Sequence, residues 1–209
     1  MATPARDIAA HGVIETTRLQ LERWDDAHFE RFAAFMREPA VIRYIRTAPL
    51  DHGRAREQHE HSLADWEFHG FGKRAIIEAA TGDWLGFVEL SLVGPGKGSR
   101  DDDAEIGYFV EPKRWGEGIA TEAAMAVRDE AFECCGIGEL IGRCRVENVA
   151  SARVLRKVGF SALRLFELAD GIVVEIHRLQ RADWTASTRL RVATSPDGCS
   201  GGAEYRETG

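Results

Sequence analysis

The residues best placed to do chemistry lie in the stretch from Ala104 to Phe132. Its first part, residues 104–110, is rich in β-branched and aromatic residues and stops before Pro112, which predicts a strand. From about Gly118 onward, small apolar residues recur at helical spacing, which predicts a helix. The glycine-bearing turn between them, residues 112–118, is suited to binding an anion. Glycine lets a ligand approach the backbone closely, and the first amides of a helix are free to donate.

Two familiar phosphate-binding patterns are missing from this turn. The sequence has no GxxxxGK[ST] pattern, and Thr121 stands where a GxGxxG pattern beginning at Gly116 would need its last glycine. The remaining alternatives are a different anion-binding loop or a tight turn without a ligand.

Two glutamates on neighbouring predicted strands are candidates for accepting a proton. Glu105 lies in the strand 104–110, and Glu89 lies in the strand predicted over 84–93. Apolar neighbours on a strand partly desolvate a carboxylate, and desolvation favours its protonated form. The alternative is that each glutamate faces the solvent.

Composition indicates a globular protein with one core. The chain has 209 residues, 44% of them hydrophobic and 29% charged. Its net charge of −7 argues against nucleic acid as the main partner and mildly favours a cationic substrate. No apolar run approaches the roughly 18 residues of a membrane span, and the N-terminus lacks the apolar segment of a secretory signal. We therefore expect a cytoplasmic protein without membrane contact.

The cysteines and histidines give no metal motif. The four cysteines form no CxxC pair and are expected to be reduced thiols. His52, His59 and His61 do not have HExxH spacing, so we expect no metal.

The predicted elements follow the order β, α, α, β, β, β, α, β, α, β, β. This order predicts an α/β fold with a mixed central sheet of about six to seven strands flanked by helices. We expect an N-terminal arm over 1–14, one domain over 15–185 and a disordered tail over 186–209. A flexible loop is expected over 94–103.

Two motifs in this order resemble the signatures of the GNAT acetyltransferases. Trp115, Gly118 and Ala120 occupy the positions of the family's Q/R-x-x-G-x-G/A pyrophosphate loop, with tryptophan in place of Gln or Arg. Farther along, Asn148 to Phe160 resembles the family's N-x-x-S-x-x-x-x-x-K-x-G-F pattern. The loop is most similar to the branch that contains the ribosomal-protein N-terminal acetyltransferases (RimJ/RimL-like). The resemblance covers roughly residues 15 to 184.

The resemblance implies acetyl-CoA as the co-substrate and direct attack by an amine in a ternary complex. Backbone amides of the loop would hold the pyrophosphate, and the pantetheine arm would pair with the central strand where that strand splays from its neighbour. A bulge near 109–110 would turn the amide of Val110 toward the thioester oxygen. The implied cofactor-binding residues are Phe109, Val110, Trp115, Gly116, Glu117, Gly118, Ile119, Ala120, Asn148 and Ser151.

The resemblance also suggests which residues accept and donate protons. Glu105 resembles in position the general base of the histone-type members, and Glu89 is the next candidate. The tyrosine that many members use as general acid is replaced by Leu155, and no tyrosine lies within 146–160. Ser151 could replace that tyrosine as general acid. The alternative is that its hydroxyl only accepts a hydrogen bond from a backbone amide at the helix N-terminus.

The acceptor is expected to be a primary amine, either a protein N-terminus or a small molecule such as an aminoglycoside, a polyamine or an amino acid. The two helices after the first strand form a wall of the acceptor site in this fold. We therefore expect Trp24, Tyr44, Trp66 and Glu89 to bind the acceptor, although the aromatic residues could equally pack on the sheet. The oligomeric state, including a homodimer, is left open. A non-catalytic acyl-CoA sensor is the alternative function, favoured by the missing tyrosine and opposed by the two glutamates.

The tail yields a first prediction. Residues 186–209 lack apolar periodicity, so a chain that ends at Thr185 should keep its melting temperature and its affinity for CoA. Thermal denaturation and calorimetry of the shortened chain test this. A clear loss in either measurement would show that the tail packs against the domain.

Overall fold

The computed structural model describes residues 12–45, 48–93, 104–168 and 171–185. Most of the predicted arm, the loop over 94–103 and the tail over 186–209 lie outside the described residues.

An eight-stranded mixed sheet forms the centre of the fold, in the order β1-β2-β3-β4-β5-β6-β8-β7. Among the strands that the structure describes, only the β5–β6 pair is parallel. The α/β class and the mixed sheet are thus confirmed, with one strand more than expected, because β1 adds an antiparallel edge to β2. The strands are β1 Val13–Glu15, β2 Leu19–Arg23, β3 Lys73–Glu78, β4 Trp84–Leu92, β5 Ala104–Val110, β6 Glu139–Arg145, β7 Ser161–Glu167 and β8 Val173–Gln180.

Five helices that lie wholly within the described residues pack on the sheet. Asp51 caps the long α3 by accepting a hydrogen bond from the amide of Arg54, and Gly70 ends that helix with φ +73°. No helix within the described residues is long and apolar enough to cross a membrane. The helices are α1 Phe29–Phe35, α2 Pro39–Ile42, α3 His52–His69, α4 Ile119–Glu133 and α5 Val149–Val158.

The two faces of the sheet bury separate cores. Helices α4 and α5 pack with Leu21, Ile76, Leu90 and Leu140 on one face, which we call the α4/α5 face. On the other face, α1 and α3 bury an aromatic cluster over β3 and β4. Period-2 alternation along the strands produces this division, because neighbouring residues point to opposite faces.

A buried ion pair joins the sheet to α4. The Arg74 guanidinium bonds Glu130 with both Nε and Nη2, at 3.1 and 2.5 Å, and both side chains are almost fully buried. Arg74 also donates to the carbonyl oxygens of Gly12 and Leu21. These bonds compensate the desolvation of the guanidinium, so breaking the pair would leave an uncompensated charge in the core.

This pair gives a stability prediction. Glu130→Leu should lower the free energy of unfolding by about 3 kcal/mol or more, because Arg74 would stay buried without its counter-charge. Urea unfolding measures the change, and Glu133→Leu on the exposed side of the same helix is the control. A loss below about 1 kcal/mol would show that the pair contributes little.

Candidate active site

A cleft opens where β5 and β6 separate. Within the described residues the two strands pair only at Ala104–Leu140 and Glu105–Ile141, although β5 continues to Val110. The expected splay is therefore present. The cleft has a volume of about 1230 Å³ and reaches from α2 to the start of α5.

Helix packing on the α4/α5 face holds the strands apart. Gly142 lets α5 approach β6, since a Cβ there would lie 2.4 Å from Cδ2 of Leu155. The Tyr108 hydroxyl of β5 bonds Ser151 at the start of α5, which sets α5 beside the open edge of β5. Leu155, at the usual tyrosine position, is buried and serves packing.

The predicted anion loop lies at one end of the cleft. Gly116 and Gly118 have φ of +86° and +84°, which favours glycine, and a Cβ at Gly116 would meet nothing within 4 Å. No side chain caps α4 at Gly118, so the amides of its first turn are available to a ligand. The Trp115 indole donates to the carbonyl of Val110 at 2.6 Å and ties the loop to β5.

Two residues that the sequence analysis missed hold this loop in place. Arg18 donates to the carbonyl of Glu117 at 3.0 Å and forms an ion pair with Glu122 on α4. Burial alone would raise the pKa of Glu122, but hydrogen bonds from Thr16 and Arg18 outweigh it and lower that pKa. The Glu122 carboxylate is thus kept charged beside the helix N-terminus. A glutamate in the first turn of a predicted helix was the available signal.

Most of the expected cofactor-binding residues line the cleft, with one exception. The side chain of Glu117 bonds Arg114 at 3.0 Å and does not face the cleft, so only its backbone belongs to the loop. The other nine, Phe109, Val110, Trp115, Gly116, Gly118, Ile119, Ala120, Asn148 and Ser151, all line it.

The expected bulge near 109–110 is wrong. The β4–β5 register runs without a shift from Gly86–Val110 to Leu92–Ala104, and the irregularity lies instead between β3 and β4, after Ile76. Gly86, with φ +144°, absorbs it on β4, because a Cβ there would lie 2.0 Å from the carbonyl oxygen of Phe109.

The Val110 amide still points into the cleft. The amide of Glu111 donates to Leu85 of β4 at 2.8 Å. Successive amides of a strand point to opposite neighbours, so the amide of Val110 points away from β4, into the gap. An amide in the plane of the sheet needs no bulge for this orientation.

Glu105 and Glu89 both line the cleft on the face opposite α4 and α5, which we call the acceptor face. Glu105 is held by Arg143, which bonds one carboxylate oxygen from Nε at 2.7 Å and the other from Nη2. The same bonds raise the pKa of Arg143. Both carboxylate oxygens of Glu105 are therefore engaged.

Glu89 is freer than Glu105. Its carboxylate lies over Gly107, where a Cβ would come within 2.9 Å of Oε1. The nearest cation, Nζ of the buried Lys73, is 3.7 Å away, which is too long for a hydrogen bond. The Glu89 side chain is 34% exposed and open to a ligand.

Ser151 lies on the other side of β5 with a partner that the sequence analysis missed. Its Oγ lies 2.9 Å from the Tyr108 hydroxyl, and its amide donates to the Asn148 side chain at 3.1 Å. Burial raises the pKa of Tyr108, so its phenol stays protonated. No tyrosine lies within 146–160, but the fold brings one to Ser151 from β5. Its position two residues before Val110 was the available signal.

Two expected acceptor-binding residues are core residues instead. Trp24 is 1% exposed and donates to Nδ1 of His59, and Trp66 is 5% exposed and donates to the carbonyl of Lys73. Neither lines the cleft, because both rings fill the aromatic core between α1, α3 and the sheet. Tyr44 does line the cleft, at its α2 end.

Cys144 also lines the cleft, beside His177 and Glu175. Burial, with a smaller effect of Glu175, raises the pKa of Cys144 to about 11, so it is a thiol and a poor nucleophile at neutral pH. The donor atoms of these three residues lie within 4.8 Å of one another, which makes them the one grouping of described residues with metal-ligand chemistry. His177 already bonds Glu175 at 2.8 Å.

Comparison with known proteins assigns the family. A family model described as an acetyltransferase (GNAT) domain matches residues 18–161, and the chain belongs to this family. It is therefore an acetyl-CoA-dependent acyltransferase. Among curated proteins it is similar to the FsC-acetyl coenzyme A-N(2)-transacetylase of Aspergillus fumigatus, with 28% identity over 76% of this chain and 69% of that protein. It is also similar to the uncharacterized N-acetyltransferase p20 of Bacillus licheniformis, with 25% identity over 78% of this chain and 91% of that protein.

Solved structures have the same fold. An acetyltransferase from Agrobacterium tumefaciens is 28% identical, with a TM-score of 0.69 over 80% of this chain and 94% of that one. RimL, the ribosomal L7/L12 α-N-protein acetyltransferase, was solved in complex with coenzyme A. It is 18% identical, with a TM-score of 0.68 over 80% and 97%, which supports a common fold alone.

The loop gives a prediction with a matched control. Asp and Asn both tolerate positive φ, and the space at Gly116 is open, so the two variants differ mainly in charge. Gly116→Asp should weaken CoA binding about tenfold or more relative to Gly116→Asn, because a carboxylate would oppose the pyrophosphate. Calorimetry measures both affinities. Equal affinities would place the pyrophosphate elsewhere.

Proposed function

We propose that this chain transfers the acetyl group of acetyl-CoA to a primary amine, which attacks directly within a ternary complex. One observation carries the proposal. The gap between β5 and β6 connects a helix N-terminus with free amides on one side to an accessible carboxylate, Glu89, on the other. A thioester reaching through this gap would meet an amine on the acceptor face.

The cofactor would occupy the α4/α5 side of the gap. The loop amides from Trp115 to Ala120 would hold the pyrophosphate, and the pantetheine arm would run along the unpaired edge of β5. Arg153 and Lys157 on α5 are exposed at the cleft and would face the phosphate of CoA that is not part of the pyrophosphate. Asn148 would hold the start of α5 beside the pantetheine.

Glu89 is the proposed general base, in place of Glu105. An ammonium group must lose its proton before the nitrogen can attack. Both oxygens of Glu105 are bonded to Arg143, whereas Glu89 has open coordination toward the cleft. Glu105 is then a positioning residue that fixes Arg143 on the acceptor face.

The remaining steps use groups near the gap. The amide of Val110 would stabilise the oxyanion of the tetrahedral intermediate. As this intermediate collapses, the C–S bond breaks and the thiolate takes a proton from Ser151, which recovers one through the Tyr108 phenol at 2.9 Å, and the phenol is in turn reprotonated from solvent. The protonated Cys144 supports direct attack rather than a covalent acetyl-enzyme.

The acceptor is a protein N-terminus or a small-molecule amine. RimL is named for acetylating a ribosomal protein, and the A. fumigatus relative is named for an N(2)-transacetylation of FsC. The RimJ/RimL-like branch and a cytoplasmic location remain predictions from sequence. The sensor alternative is disfavoured, because Glu89 and Ser151 both face the cleft.

The base assignment gives a prediction. Glu89→Gln should lower kcat by roughly 10²- to 10⁴-fold while CoA binding is retained, because the amine would lose its proton acceptor. The deficit should shrink as pH rises, since more of the amine is then already unprotonated. Steady-state release of CoA thiol across pH measures both effects.

Glu105→Gln is the matched control, with the same chemical change one strand away. It should lower kcat less than Glu89→Gln and without the pH dependence. The reverse pattern would assign the base to Glu105, and an equal, pH-independent loss in both would mean that water takes the proton. Melting temperatures exclude misfolding as the cause.

A further inference from the structure

The charge of the cleft opposes the charge of the chain. The chain carries a net charge of −7, which favoured a cationic substrate. Its cleft, however, is lined by seven basic side chains and only three acidic ones among the described residues. The basic residues are Arg43, Arg54, Arg114, Arg143, Arg145, Arg153 and Lys157, and the acidic ones are Glu89, Glu105 and Glu147.

The cofactor accounts for only part of this excess. Arg114 lies in the anion loop, and Arg153 and Lys157 lie on α5, where phosphates are expected. The remaining four basic residues are Arg54 on α3, Arg43 beside α2, and Arg143 and Arg145 on β6. Two of these, Arg143 and Arg145, are two residues apart on one strand and so share the acceptor face.

These two arginines differ in their partners. Arg143 is neutralised by Glu105 through two hydrogen bonds. The side chain of Arg145 is half-buried at the cleft and has no hydrogen-bond, ion-pair or ring partner within the described part of the chain. A partly desolvated guanidinium without a counter-charge attracts an anion from a ligand more strongly than an exposed one.

We propose that the amine acceptor carries a carboxylate, which Arg145 binds while Glu89 receives the ammonium group. This inference rests on the acetyl transfer proposed above. It makes Arg145 a specificity-determining residue and predicts an amphoteric acceptor rather than a polyamine or an aminoglycoside.

Sheet geometry sets the spacing between the two charges. Glu89 is opposite Gly107 and Glu105 is level with Ile141, so Arg145 lies two strands across from Glu89 and about two residues further along. With strands about 4.8 Å apart and a rise of about 3.3 Å per residue, their backbones are about 12 Å apart, and more where the strands splay. The carboxylate and the amine should therefore be several bonds apart. A γ-amino acid or a peptide N-terminus followed by an acidic residue meets this requirement.

Matched acceptor pairs test the inference. Release of CoA thiol is compared for 4-aminobutanoate against butylamine, and for Ala-Glu-Ala amide against Ala-Gln-Ala amide. The wild type should favour the anionic member of at least one pair about tenfold in kcat/KM, which is the effect of one charge-assisted hydrogen bond. The pair that responds distinguishes a small amino acid from a peptide.

Variants attribute the preference to a residue. Arg145→Gln should reduce this ratio toward one, and Glu105→Gln, which frees Arg143, should raise it. Arg178→Gln is the control, because Arg178 lies on the same face at the level of Ile141 but does not line the cleft. It should leave the ratio unchanged.

Two results would overturn the inference. One is a ratio near or below one in both pairs. The other is an Arg145→Gln variant with weaker CoA binding and an unchanged ratio, which would assign Arg145 to the cofactor. Calorimetry of the same pairs with CoA present separates this inference from the proposed function. Preferential binding of the anionic member without turnover would refute acetyl transfer and keep the anion site.

Discussion

The separation of β5 from β6 is the constraint on which the site depends. After two residues of parallel pairing, the facing edges of both strands carry backbone groups without a strand partner. Such groups need partners, and the chain supplies some of them itself, as when Trp115 donates to the Val110 carbonyl. The amide of Val110 points into the gap, where an extended ligand arm can complete the pairing. The same break in the sheet connects the two faces, which an intact ladder would keep apart.

The cores on the two faces explain why the break is stable. On one face, α4 packs on β5 and α5 packs on β6, with Gly142 allowing the close approach of Leu155. On the other face, the aromatic cluster fixes β3 and β4, and with them Glu89. The Arg74–Glu130 pair also ties β3 to α4. The cleft can therefore stay open without a strand to close it, because packing on either side replaces the lost ladder.

Local sequence signals predicted the framework well, and tertiary packing explains where they failed. The strand, the glycine turn and the helix at 104–132 were predictable because period, turn residues and helix start agreed. Trp24 and Trp66 were predicted to bind the acceptor from their place after the first strand. In the structure their large rings are buried in the core instead. The bulge lies on β4 rather than at the expected position near 109–110, because Gly86 accommodates it there. Tyr108 was missed because its role depends on a contact with a residue 43 positions away in sequence. The positive charge of the cleft was missed because the net charge of a chain contains no spatial information.

Proton flow follows from how the charged and protonated groups divide between the two faces. Glu89, an accessible carboxylate, lies on the acceptor face, where an ammonium has a proton to lose. On the α4/α5 face the Tyr108 phenol and the Cys144 thiol lie next to the gap, and burial raises the pKa of both, so they hold their protons. A thiolate that forms on that side would thus be next to groups that carry protons. In the proposed mechanism, β5 separates the two sets, so the amine would be deprotonated on one side while the leaving group would be protonated on the other. The face of the sheet that each side chain occupies would therefore decide which side chain accepts a proton and which donates one.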